Sequence, residues 1–307
     1  MPYLLALLSA ACYGAADFFG GLASKHAATV AVVAVSQASG LIVLTALTTV
    51  LPQSAPASVD LWWGLAAGMT GSVGVALLYR ALAIGTMAVV APTTAVCAVI
   101  IPVVAALLGG ERPGARTLLG ILIALIAIVL VSRTPTTSTP NSQQASPSAQ
   151  RAGSDPSVGS SELAVERSRS RPTVPPGLAL AMLSGVAIGF FFLALARTGA
   201  EAGLWPLAIA RVASLMLFVP FALRGGRLRM SRRIFAIATG GGILDMLANA
   251  FYLIAVRGGP LTAVVTLSSL YPAGTVVLAR VVLHERLGAV QLAGVAAALF
   301  AVVLIVS

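Results

Sequence analysis

The sequence predicts an all-α integral membrane protein of ten transmembrane helices, arranged as two inverted repeats of five helices. The 307 residues are 58% hydrophobic and only 9% charged, whereas about 25% are charged in a typical soluble domain. The chain contains ten apolar runs, most of them close to the roughly 20 residues that a helix needs to cross a bilayer. Finally, residues 174 positions apart match each other along the two halves of the chain.

The repeat is clearest at a charged turn. Gly110-Glu111-Arg112 has its counterpart in His284-Glu285-Arg286, 174 positions later, and the same offset pairs Gly68 with Gly242. Such self-similarity indicates a duplicated unit. Because each unit holds five spans, an odd number, the second half must enter the membrane from the opposite side. Inverted repeats of this kind are typical of secondary transporters.

The spans are predicted to be helices because backbone groups in hydrocarbon must be hydrogen-bonded within their own segment. Strands of a membrane barrel would show alternating polarity, which these runs lack. In chain order, the predicted spans are Tyr3–Ala23, Thr29–Leu51, Leu61–Leu82, Thr86–Leu108, Ala115–Val131, Gly177–Ala196, Ala202–Leu223, Ile234–Val256, Leu261–Leu283 and Gly288–Val306.

The two repeats, residues 1–132 and 177–307, are joined by a segment of different composition. Residues 133–176 are rich in Ser, Thr and Pro, and such a segment buries too little apolar surface to offset the entropy of its chain. We therefore expect a disordered cytoplasmic tether. A phosphorylated or partner-binding segment is the functional alternative.

The formal charge of +10 predicts contact with lipid headgroups rather than with nucleic acid, since the arginines fall in short loops between apolar runs. Lys25, Arg80 and the tether arginines lie on one predicted side of the membrane. By the positive-inside rule that side is cytoplasmic, which places both termini outside.

Three charged residues, Asp17, Arg211 and Asp245, lie well inside predicted spans. A charge there costs at least about 2.5–3.5 kcal/mol, so each needs a partner or a watery cavity. The guanidinium of Arg211 could bind a substrate carboxylate or phosphate. A fixed ion pair with Asp245 or Asp17 is the equally open alternative. The offset of 174 pairs Arg211 with Gln37.

Polar residues also recur at helical spacing. Asp245, Asn249 and Tyr252 share one face of the eighth span, and Tyr13 precedes Asp17 by one turn in the first. Such stripes either bind a ligand or hold helices together by hydrogen bonds. We expect the two acids to handle substrate or protons. The full set of predicted substrate-binding residues is Arg211, Asp245, Asn249, Tyr252, Asp17, Tyr13 and Gln37.

Other recurring residues favour a structural role. Glu111 and Glu285 lie at helix ends, where a carboxylate stabilises the amides at a helix N-terminus, and are predicted to be structural turn residues. The spacings Gly64-x-x-x-Gly68 and Gly185-x-x-x-Gly189 allow close helix packing, either within a monomer or in a homodimer. The only histidines, His26 and His284, show no metal-ligand spacing, and no nucleotide-binding motif occurs. We therefore predict no enzyme, no cofactor and no metal.

The chain resembles the EamA-type members of the drug/metabolite transporter superfamily. The residues that carry the resemblance are the two turns with the glycines that follow them, Gly120 and Gly294, the opening Tyr13-Gly14-Ala15-Ala16-Asp17-Phe18, and Tyr252-Ala255-Val256 before Gly259. Unlike most members, Leu51–Asp60 carries no basic residue. The resemblance implies cytoplasmic termini, opposite to the charge count.

Together these features predict a multi-pass transporter of the bacterial inner membrane. It would move a small metabolite, amino-acid-like compound or drug by alternating access, with export as the expected direction and protons as a possible second partner. Asp17 and Asp245 are the candidate proton acceptors. A non-transporting sensor or scaffold and an intramembrane enzyme are the alternatives.

Overall fold

A computed structural model describes residues 1–50, 55–85, 87–131, 177–224, 230–283 and 288–306. Two sequence predictions lie outside the described residues. One is the disordered tether at 133–176, and the other is the role of Glu285 in its turn.

Helices make up nearly all of the described chain, which confirms the all-α prediction for those residues. In chain order they are α1 (Pro2–Ser24), α2 (Thr29–Val50), α3 (Ser58–Ile84), α4 (Met87–Leu108), α5 (Ala115–Val131), α6 (Leu178–Ala196), α7 (Trp205–Leu223), α8 (Arg232–Gly258), α9 (Leu261–Ser268), α10 (Tyr271–Leu283) and α11 (Ala289–Val306). A 3-10 turn, Ala200–Ala202, precedes α7.

Seven of the described helices, α1–α4 and α6–α8, are long and apolar enough to cross a membrane. Helices α5 and α11 are apolar but shorter. The predicted span Leu261–Leu283 consists of two helices, because α9 ends at Ser268 and α10 begins at Tyr271. Pro272 explains the break: it has no N–H to donate to Ser268, four residues earlier, and its ring crowds that carbonyl.

The helix bounds follow the sequence repeat. Adding 174 to the bounds of α3, Ser58–Ile84, gives those of α8, Arg232–Gly258. The same offset relates the first residues of α4 and α9, and of α5 and α11. The two halves therefore form the same helices in the same order, apart from the break between α9 and α10. In α4 the position equivalent to Pro272 is Ala98.

Equivalent helix pairs pack across the two halves in the same antiparallel way. Ser9 of α1 donates to the carbonyl of Ala248, while Gly241, nearer the start of α8, faces Ala16. In the equivalent pair, α3 runs antiparallel to α6, since Gly71 lies against Phe191 and Gly74 against Ile188. The two repeat-related pairs, α1 with α8 and α6 with α3, therefore pack alike.

Two repeat-related glycines allow the halves to approach closely. A Cβ atom at Gly242 would lie 2.2 Å from the carbonyl oxygen of Ser36, and one at Gly68 would lie 2.6 Å from that of Ala210. A side chain at either position would overpack the contact. The glycine pairs at 64/68 and 185/189 likewise face α7 and α4 of the same chain, so close packing within the monomer accounts for both.

Charged side chains connect the loops at one end of the helix bundle. The Glu111 carboxylate, after α4, accepts hydrogen bonds from the backbone N–H of Thr262, at 3.2 Å, and from its hydroxyl. It therefore caps α9 in the other half of the chain. Arg257 donates to the carbonyl of Gly203 at 2.7 Å. Asp60 accepts from the N–H of Gly199 at 2.8 Å.

Candidate substrate cavity

A cavity lies between the helices of both halves, about half-way along them. Its empty volume is about 640 Å³, counting the space open to solvent. Asp245 on its wall is the central residue of α8. Nine of the nineteen lining residues carry a polar group in the side chain, although the exposed surface of the lining is largely apolar. The lining consists of Tyr13, Asp17, Gln37, Ala67, Gly68, Gly71, Ser72, Val75, Leu78, Ile188, Phe191, Phe192, Leu207, Ala210, Arg211, Ser214, Asp245, Asn249 and Tyr271.

An ion pair joins α7 to α8 at this wall. The Arg211 guanidinium donates to Asp245 Oδ2 at 2.5 Å, and the two side chains are only 6% and 11% exposed. It also donates to Gln37 Oε1 on α2. Gln37 and Arg211 are equivalent positions of the two halves, so the repeat brings them together. Of the two ion pairs predicted for Arg211, the structure forms the one with Asp245.

The ion pair extends into a hydrogen-bond network that reaches α1. The Asn249 amide nitrogen donates to the backbone carbonyl of Asp245 at 2.6 Å and to its Oδ2 at 3.2 Å. The Tyr13 hydroxyl donates to Asn249 Oδ1 at 2.8 Å. Because every member is buried, the network fixes the relative positions of α1, α2, α7 and α8.

Asp17 differs from the other charged groups of the wall. It is 7% exposed, and its carboxyl group makes no hydrogen bond or ion pair with any residue that the structure describes. The Asp245 carboxylate acts on it electrostatically, and two like charges repel. Asp17 is therefore a buried acid on the cavity wall without a counter-charge among the described residues.

Tyr252 is the predicted substrate-binding residue that the structure does not place on the wall. Its hydroxyl donates to the backbone carbonyl of Phe192 at 3.1 Å, and the two rings lie 4.6 Å apart. It joins α8 to α6, which fits the alternative role of a residue that holds helices together. The structure brings the other six to the cavity: Tyr13, Asp17, Gln37, Arg211, Asp245 and Asn249.

Several lining residues were not predicted. The hydroxyl oxygens of Ser214 and Tyr271 are buried without a hydrogen-bond partner among the described residues. Ser214 follows Arg211 by three positions and so shares its helix face, a signal that could have identified it. Tyr271 was not singled out in the sequence; it begins α10, next to Pro272. Phe192 is a third lining residue that was not predicted, and its ring lies 5.8 Å from the ring of Tyr13.

Comparison with known proteins identifies the family. The model of the EamA-like transporter family matches residues 1–133 and 175–307. The chain belongs to this family. The predicted resemblance is thus confirmed, and this EamA-family chain is a multi-pass membrane protein of the drug/metabolite transporter superfamily. The matched ranges include every cavity residue.

Solved structures support the fold of the EamA-family chain. One match is a crystal structure whose title does not name its protein. The superposition covers 97% of this chain and 95% of the matched chain, with a TM-score of 0.65. Its sequence is 17% identical, so the likeness concerns the fold. No curated protein matches the chain.

Proposed function

We propose that this EamA-family protein is a secondary transporter of the bacterial inner membrane. It carries a small metabolite, amino-acid-like compound or drug by alternating access, with export as the direction. The supporting observation is the charged cavity, which lies half-way along the helices and is built by both halves of the chain. Ionisable groups at that depth are costly and commonly mark substrate or ion pathways.

The arrangement of the helices supports alternating access. Ten spans in two inverted five-helix repeats would allow each half to adopt the conformation of the other and so open the cavity to either side. The contact between Gln37 and Arg211 joins equivalent positions of the two halves, as expected near the axis that relates them. A small molecule and the lipid bilayer are the partners of this proposal. A monomer or a homodimer would fit it.

The contacts within the cavity suggest separate roles for its charges. Arg211 and Asp245 neutralise each other and hold α7 against α8. Asp17 has no such partner, so it is the carboxyl group better suited to exchange its proton or counter-ion as the cavity changes sides. Transport would then be coupled to a proton gradient through Asp17, whereas Asp245 would keep its place in the ion pair.

Uptake by proteoliposomes tests both parts of this proposal. A panel of radiolabelled organic cations, zwitterions and anions is offered to vesicles with and without an imposed pH gradient. We expect saturable uptake of at least one probe, faster with the gradient, because the carboxyl group of Asp17 must lose a proton on one side and regain it on the other. Asp17→Asn should abolish the effect of the gradient.

The matched control is Glu201→Gln, which removes an exposed carboxylate from the turn before α7 and should change neither uptake nor its response to pH. If no member of the panel is taken up saturably, the transport proposal is wrong. If uptake is saturable but indifferent to the gradient, proton exchange is wrong.

A further inference from the structure

The charges of the cavity wall do not balance. Its described lining contains two carboxyl groups, Asp17 and Asp245, and one guanidinium, Arg211. Because Arg211 is paired with Asp245, one carboxyl group is left over. A proton, or a ligand with one positive charge, would restore neutrality in a site where an uncompensated buried charge is costly.

Arg211 is poorly placed to bind an anion. The Asp245 carboxylate already compensates its positive charge, and two of its five N–H groups donate to Asp245 and Gln37. An incoming carboxylate or phosphate would therefore meet no uncompensated positive charge. It would also approach a wall that carries two carboxyl groups. The sequence-based hypothesis that Arg211 binds a substrate anion is therefore not favoured by these contacts.

The surroundings of Asp17 suit an ammonium group with an apolar body. Asp17 stands one helical turn beyond Tyr13, whose ring lies 5.8 Å from Phe192 and 6.3 Å from Tyr271. Aromatic faces attract cations within about 6 Å and also pack against apolar groups. Tyr271 and Ser214 lie in the same wall, and their hydroxyl groups have no hydrogen-bond partner among the residues that the structure describes. A hydroxyl oxygen can accept a hydrogen bond from an ammonium N–H.

We propose that the cavity binds an organic ammonium ion, with the Asp17 carboxylate as its counter-charge and Tyr13, Phe192 and Tyr271 around its apolar part. The inference rests on the proposed function, because it names the substrate class of the same site. In this proposal Asp17 recognises the ligand, whereas the Arg211–Asp245 ion pair holds α7 against α8 and does not bind the ligand.

Three probes of similar size that differ in charge test the proposal: phenethylammonium, 2-phenylethanol and phenylacetate. Their affinities for the purified full chain in detergent are measured by titration calorimetry. We expect phenethylammonium to bind at least about tenfold more tightly than the other two, because only its ammonium group can form a hydrogen bond to the Asp17 carboxylate in which both partners are charged. Asp17→Asn should reduce its affinity to that of the alcohol, while Glu201→Gln should leave it unchanged.

A second measurement keeps the test decisive if Asp17→Asn does not fold. In the wild-type chain, dicyclohexylcarbodiimide labels accessible carboxyl groups in apolar surroundings, and mass spectrometry locates the label. Phenethylammonium should protect Asp17 from labelling, and phenylacetate should not. Equal or tighter binding of the alcohol or the anion, or a labelled Asp17 in the presence of saturating phenethylammonium, would overturn the proposal.

This assay is independent of transport, because it uses no vesicles and no gradient. Ammonium binding without saturable uptake of any probe would contradict the transport function and support the assignment of the ligand. Saturable uptake together with tighter binding of the anion would support the transport function and contradict the assignment of an ammonium ligand.

Discussion

Replacing Arg211 with Met is expected to lower the free energy of unfolding by about 3–5 kcal/mol. The substitution leaves the Asp245 carboxylate buried without its counter-charge, and it removes the donor to Gln37. A buried ion pair contributes little net stability, because the attraction between its two charges roughly offsets the cost of removing them from water. A single buried charge has no such attraction to offset that cost, so the loss of one partner is strongly destabilising. Unfolding in detergent, followed by circular dichroism, measures the change.

Two further variants identify the cause. Arg197→Met removes an exposed arginine at the end of α6 and should change stability by no more than about 0.5 kcal/mol. The double variant Arg211→Met with Asp245→Leu removes both charges, so it should recover most of the loss. If the single variant is as stable as the wild type, the ion pair does not hold α7 against α8.

Replacing Val75 with Trp is expected to abolish uptake while the protein remains folded. Val75 of α3 is half-buried and lies on the cavity wall. A Trp side chain buries roughly 150–250 Å², so at this position it would fill the space that a substrate needs. Uptake of whichever probe the wild type transports is compared in vesicles that contain equal amounts of each variant.

The matched control is Val73→Trp, two residues earlier on the same helix. Val73 is 39% exposed and absent from the cavity lining, so the same ring there should point away from the cavity and leave uptake near the wild-type rate. Equal uptake by the two variants would mean that substrate does not pass through this cavity.

The helices were largely predictable because the bilayer sets their length and polarity. The predicted span Ala115–Val131 coincides with α5, and Leu61–Leu82 lies within α3, Ser58–Ile84. Pro272 alone could not predict a full break between α9 and α10, since proline in a helix does not always interrupt it. Helix α4 continues past both Pro92 and Pro102. Whether the freed backbone groups are satisfied depends on neighbouring helices that the sequence does not identify.

Six of seven predicted cavity residues lie on the wall, because polar groups in lipid face the interior of a bundle. Their partners depend on packing between distant segments, and helical spacing alone could not choose between Asp17 and Asp245 as the partner of Arg211. Helical spacing also failed to predict the position of Tyr252. It follows Asn249 by three residues, yet its hydroxyl donates to a carbonyl of α6 rather than lining the cavity. The contact of Glu111 with α9 also crosses between the two halves.

The most direct test of the account is whether the cavity can be reached from both sides of the membrane. Val75→Cys is introduced into a chain in which Cys12 and Cys97 are replaced by Ser, with Val73→Cys as the control. A membrane-impermeant thiol reagent is then applied to either face of sealed vesicles. The account predicts labelling of the cysteine at 75 from each face, and slower labelling when the transported probe is present. Labelling from one face only, or labelling that the probe does not slow, would contradict it.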